Sequence, residues 1–124
     1  MELREAMLHL AAIHPILTRA ADEFESDYGS DIPTAALGHL GTAFVDEFED
    51  IAATDRGKLF ASVELLLTCG NDETETAVAT GFIEAVVSRA ESNDRYEPVA
   101  ALFGLAAQDF VSAWNESLGI SESE

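Results

Sequence analysis

The sequence predicts an all-α chain: five to six antiparallel helices in a compact bundle or a short stack of helical hairpins. Three observations carry this. Apolar residues recur every three or four positions along most of the chain. No stretch alternates with period two for long enough to demand a strand, and turn signals for β-hairpins are absent. The connections near residues 52–54 and 70–71 are short, as expected between antiparallel helical neighbours.

Leu3, Met7, Leu10, Ile13, Leu17, Phe24 and Tyr28 hold a helical spacing that Pro15 interrupts. Proline lacks a backbone donor and clashes with the preceding turn, so either one helix kinks there or a second begins with Pro15 in its first turn. Tyr28 to Pro33 reads as a loop, with Asp31 or Thr34 as a cap for the next helix. From about Pro33 to Ala52, Leu37, Leu40, Phe44, Phe48 and Ile51 form one stripe. The helix after it, capped by Thr54 and closed by a left-handed Gly70, aligns Leu59, Phe60, Val63, Leu66 and Leu67. Asn71 caps a long helix to about Ala90, whose wide apolar arc (Val78, Phe82 and Val86 with Ala79, Ile83 and Val87) suits a central position. A short helix near Pro98 to Phe103 and a last one bearing Phe110, Val111, Trp114 and Leu118 complete the series.

With 124 residues the chain fits one domain, spanning 1–118, with 119–124 expected as a frayed acidic tail. Twenty-four acidic against six basic side chains give a net charge of −18, yet 48% of residues are hydrophobic. A disordered acidic segment would lack that apolar content, so a folded domain with a strong negative field is expected. Cys69 is the lone cysteine, which excludes an intrachain disulfide and a cysteine-based metal cluster and suits a reducing compartment. The apolar stretch from Met7 to Ile16 is spoiled as a signal peptide by His9, His14 and Pro15, and no run approaches a membrane span. A cytoplasmic protein is expected. The near absence of lysine (Lys58 alone) also fits adaptation to high salt.

The acids are not spread evenly. Asp22, Glu23, Glu25 and Asp27 crowd the end of the second helical segment, and Asp46, Glu47, Glu49 and Asp50 crowd the end of the third. Each is predicted at a helix C-terminus, where an exposed carboxylate is unfavourable by roughly 0.3–1 kcal/mol. A solvated face explains their exposure but not eight acids without a basic neighbour at the wrong ends of helices. Both clusters are therefore candidate partner-binding surfaces, with solubility charge as the competing explanation. Asp72, Glu73 and Glu75 sit in a first turn that favours acid and need no partner.

Chemistry beyond binding finds little support. There is no calcium-loop spacing, and His9, His14 and His39 lack the Glu-x-x-His pairing of a carboxylate-bridged metal site. Cys69 lies where the helix dipole disfavours a thiolate. No nucleophile elbow or phosphate-cradling loop is present; Gly38 and Gly41 fall within a helical pattern and suit close packing. Glu64 and Glu84 stand at the edges of apolar stripes, as partner contacts or structural groups. No catalytic residue, metal or cofactor is expected. Direct nucleic-acid binding is disfavoured, because neutralising phosphates needs the Lys and Arg this chain lacks.

The run Leu59-Phe60-Ala61-Ser62-Val63-Glu64-Leu65-Leu66, then Gly70-Asn71-Asp72-Glu73, then Ala79-Thr80-Gly81-Phe82-Ile83-Glu84, with Trp114 beyond, resembles a bacterial family of small helical proteins. That family is similar to immunity proteins of polymorphic or contact-dependent toxin systems. The resemblance covers about half the chain. It implies a non-enzymatic cytoplasmic protein that binds a co-produced toxin and blocks its active site; the acidic charge of the chain points to a basic toxin, for instance a nuclease. The alternatives are an acidic helical scaffold or adaptor, or a DNA mimic, without a toxin partner.

Overall fold

Helix α1 (Leu3–Ala11) opens on a reciprocal cap in which the Glu2 N–H donates to Glu5 Oε1 at 3.0 Å. The computed structural model describes residues 2–117. Pro15 separates two helices rather than kinking one. Helix α2 (Pro15–Tyr28) starts with Pro15 where its missing N–H is harmless, and His14 Nδ1 caps it by accepting the Ile16 N–H at 3.1 Å. The Thr18 hydroxyl ties the two together by donating to the Ala11 carbonyl at 2.7 Å. Gly29 closes α2 at φ +85°, a conformation that suits glycine.

Helix α3 (Pro33–Asp46) is shorter than its apolar stripe predicts, and Phe48–Asp50 form a 3₁₀ turn instead. Arginines take the carbonyls here: Arg95 Nη1 donates to Val45 O at 2.6 Å and Asp46 O at 3.3 Å at the end of α3, and Arg56 Nε donates to Phe48 O at 3.0 Å in the 3₁₀ turn. Neither Asp31 nor Thr34 caps α3, because Ile32 holds that position without a side-chain bond. Likewise Ala52, not Thr54, is the N-cap of α4 (Ala53–Cys69). Gly70 is extended, at φ −76° and ψ 167°, rather than left-handed. A glycine is still needed there, since a Cβ would stand 2.6 Å from the Leu66 carbonyl oxygen.

Asn71 caps the next helix as expected, its Oδ1 accepting the Thr74 N–H at 2.8 Å. The α5 rod comprises an α-helical Asp72–Ala77, a π-helical Val78–Ile83 and an α-helical Glu84–Ser92. The wider π turn rotates the two α faces relative to each other, and Val78, Ala79, Gly81, Phe82, Ile83, Val86 and Val87 are all buried. The rod ends in a Schellman motif: Arg95 N–H bonds Ala90 O at 2.8 Å, Asp94 N–H bonds Glu91 O at 3.4 Å, and Asp94 carries φ +58°. Asp94→Gly is expected to raise stability by about 0.5–1 kcal/mol, read as a higher urea midpoint, because glycine adopts this backbone without strain. Helix α6 (Tyr96–Ala100) and α7 (Leu105–Ser117) finish the described chain.

Among the described residues the count is therefore seven helices and no strand, against the five or six expected. Leu118 and the 119–124 tail lie outside the described residues. The paired contacts Arg4–Glu25 and Ala11–Thr18 make α1 and α2 antiparallel, and Phe24 against His39 does the same for α2 and α3. By contrast, α3 and α5 run parallel, with α4 as the crossover: a Cβ on Gly81 would meet Thr34, one on Gly41 would meet Phe82 and Val86, and Asp46 bonds Arg89. This pair forms the centre. Leu37, Leu40 and Phe44 of α3 and Val78, Phe82 and Ile83 of α5 are fully buried. Phe60 of α4 links Phe44, Phe82 and Phe103 at centroid distances of 5.3, 5.8 and 5.6 Å, and such aromatic contacts add to the area they bury.

Candidate functional site

The two acidic clusters lie on the antiparallel α2–α3 hairpin, and the fold treats their members differently. Asp22, Glu23, Glu25 and Asp27 occupy the last two turns of α2, all exposed. Asp46 is the last residue of α3, Glu47 its C-cap, and Glu49 and Asp50 belong to the 3₁₀ turn leading into α4. Only Asp46 and Glu47 thus sit at the C-terminus of α3. Glu49 and Asp50 stand just ahead of the α4 N-terminus, which favours negative charge.

The absence of basic residues within each cluster does not mean an absence of cations in space. Arg4 of α1 pairs with Glu25 at 2.8 Å. Arg89 of α5 donates to Asp46 Oδ1 at 2.6 Å, and Asn93 Nδ2 reaches the same oxygen at 3.2 Å. That hydrogen bond first, and the Asp46 charge second, hold the exposed Arg89 guanidinium above its ordinary pKa. Arg56 lies 3.9 Å over the Phe48 ring while bonding its carbonyl. With Arg95 on the α3 carbonyls, three arginines from later in the chain converge on the end of α3 and the 3₁₀ turn that follows it. The local penalty expected from sequence is offset there, and Asp46 and Glu25 are structural partners as well as surface acids.

What remains is a groove between α2 and α3. One half is lined by Glu23, Phe24, Asp27, Tyr28, His39 and Thr42; the other by Arg19, Glu23, His39, Asp46, Glu47 and Asp50. Glu23, His39 and Thr42 belong to both, so the halves are continuous. Five of the eight predicted acids therefore share one groove: Glu23, Asp27, Asp46, Glu47 and Asp50. Asp22, Glu25 and Glu49 do not line it. Among the described residues, Glu23, Asp27, Glu47 and Asp50 make no hydrogen bond or ion pair through their side chains. Sequence reasoning missed His39, Phe24 and Tyr28 as groove residues, although the i,i+4 spacing of Phe24 and Tyr28 beside Glu23 and Asp27 is a usable signal.

Glu64 belongs elsewhere. Its carboxylate, half-buried on α4, accepts the Ala106 N–H at 2.5 Å and the Ala107 N–H at 3.4 Å. It thereby caps the N-terminus of α7, and Gly104 leaves room for it, since a Cβ there would collide with the carboxylate. Of its two expected roles, the structural one describes it. Glu84 is half-buried at the junction where the π turn returns to α-helix, and it makes no side-chain hydrogen bond or ion pair among the described residues. No cluster of three or more metal-ligating side chains forms among the described residues, and no described helix is long and apolar enough to cross a membrane.

Fold and site together define a small all-α domain that presents an acidic inter-helical groove. The chain belongs to the family described as a domain of unknown function (DUF7674), which it matches over residues 7–118. Neither the curated proteins nor the solved structures contain a match to it.

Proposed function

We propose that this protein is a non-enzymatic binding protein that neutralises a basic protein partner, in the manner of an immunity protein against a toxin such as a nuclease. The observation that carries this reading is the groove of Glu23, Asp27, Glu47 and Asp50. The fold aims arginines at Asp46 and Glu25, whereas these four carboxylates form no ion pair among the described residues, and Arg19 is the one arginine lining their groove. Solubility charge would need no such concentration in a concave surface. Complementary potentials accelerate encounter, up to about 10⁸–10⁹ M⁻¹s⁻¹ at low salt, and carboxylates can occupy the positions that a basic enzyme reserves for substrate phosphates. The chain's composition and helical make-up, and the resemblance of its Leu59–Glu84 segment, support the same reading.

Co-expression with the product of the adjacent gene tests it: relief of that product's toxicity and salt-sensitive co-purification are expected. A harmless neighbour that stays unbound at low salt rules the reading out. The surface separates from the fold by substitution. Glu23→Gln, Asp27→Asn and Glu47→Gln together, all at or near helix C-termini that disfavour acid, should weaken binding while leaving thermal stability unchanged or slightly raised. Asp46→Asn alone should instead lower the thermal midpoint modestly, because it weakens the Arg89 pair at a partly exposed site.

A further inference from the structure

We infer that the Tyr28 end of the groove is a socket for an arginine side chain of the partner, an inference that rests on the reading of this hairpin as a basic-protein surface. Tyr28 is 67% exposed, although it is an aromatic residue in the last turn of a helix. Its ring lies 4.8 Å from that of Phe24, and Phe24 lies 5.7 Å from His39 across the hairpin. Phe24 is buried, whereas Tyr28 and His39 are exposed, so the open part of this shelf is the tyrosine and histidine rings on either side of Phe24. Glu23 and Asp27 line the same recess, one helical turn apart and each one residue before its aromatic neighbour. An aromatic shelf bordered by two carboxylates attracts a cation through both the ring quadrupole and direct charge.

The charges nearby favour an external cation. Arg4 is held on Glu25; Arg19, one turn before Glu23 on α2, lines the other half of the groove without an ion pair among the described residues and lies two turns from Asp27, about 12 Å along the helix. Neither fills the recess, whose volume of about 660 Å³ admits a long side chain. Arginine fits better than lysine. Its planar guanidinium stacks on a ring while its edge donors meet a carboxylate in a fork, whereas a compact ammonium satisfies the charge alone. The groove then continues past Glu23 toward Glu47 and Asp50, so flanking basic residues of the same segment find acids in turn.

The test is an NMR titration of the intact protein at low salt with blocked oligo-arginine and oligo-lysine peptides of equal length, on wild type, Tyr28→Ala and Tyr28→Phe. The arginine peptide should bind about two- to fivefold more tightly, with the largest shifts at Glu23 to Tyr28 and at His39. Tyr28→Ala should abolish that margin and Tyr28→Phe should retain it, which also separates stacking from the hydroxyl. Equal affinities that ignore Tyr28, or shifts confined to other acids such as Asp72 to Glu75, overturn the socket and leave a basic partner for the hairpin standing. If neither peptide binds at low salt, the socket and the basic-partner reading both fall.

Discussion

Gly81→Ala is expected to destabilise the fold by about 1–3 kcal/mol, whereas Gly57→Ala stabilises it by about 0.5–1 kcal/mol. Both glycines lie inside helical segments, so helix propensity alone predicts the same sign for each. Packing separates them. A Cβ on Gly57 meets nothing within 4 Å, while one on Gly81 would stand 2.6 Å from the Thr34 carbonyl oxygen and 3.3 Å from Leu37 Cβ. The first obstacle is backbone, and it moves only if α3 moves. Since α3 and α5 are the buried centre of the molecule, that displacement loosens Leu37, Phe44 and Phe82 together. Urea unfolding of the two variants side by side provides the check. A stabilising Gly81→Ala would mean that the parallel α3–α5 contact leaves room for a methyl group.

Glu64→Ala should cost about 1–3 kcal/mol and release α7 before the rest of the bundle. The loss has two parts: a helix cap supplied from α4, and the N–H groups of Ala106 and Ala107 left without their acceptor in a partly buried place. Glu64→Gln keeps an acceptor oxygen and should lose much less. Trp114, the single tryptophan, sits on α7 next to Phe110 and reports the helix's docking. In Glu64→Ala its fluorescence should shift at lower denaturant than the far-ultraviolet signal of the remaining helices. Coincident transitions with wild-type midpoints would show that the carboxylate does not hold α7.

Both predictions rest on contacts between residues far apart in sequence, and that is where legibility stops. Helical periodicity is enough for the all-α class, for Asn71 as a cap and for the centrality of the helix bearing Val78, Phe82 and Val86. Those are local signals: a spacing, a capping side chain, an apolar arc. Pro15 leaves two local outcomes open, and the His14 cap shows which holds. The end of α3 is misplaced by its stripe, which continues through Phe48 and Ile51, while the arginines that take the carbonyls there, Arg56 and Arg95, come from later in the chain. Long-range arginines also alter the account of the acids. Clusters that look uncompensated along the chain are partly paired in space, so Asp46 and Glu25 separate from Glu23, Asp27, Glu47 and Asp50. Glu64 is recognisable as unusual from its apolar surroundings, but its target, the start of α7, lies 42 residues away. The π turn leaves no mark in the apolar pattern, which is wide enough to accept either register.

Four carboxylates of the α2–α3 groove that form no ion pair among the described residues are proposed to hold a basic protein. Isothermal titration of the protein encoded beside this chain, against wild type and against a variant combining Glu23→Gln, Asp27→Asn, Glu47→Gln and Asp50→Asn, tests it most directly. Among the described residues none of the four side chains has a hydrogen-bond or ion-pair partner, and the loss of Asp50 ahead of α4 is offset by relief at the C-termini of α2 and α3, so the variant should stay folded with near wild-type stability. Binding to wild type should be tight and weaken as salt rises, and it should be lost in the folded variant. Undiminished binding to the variant, or no binding to wild type at low salt, would contradict the claim.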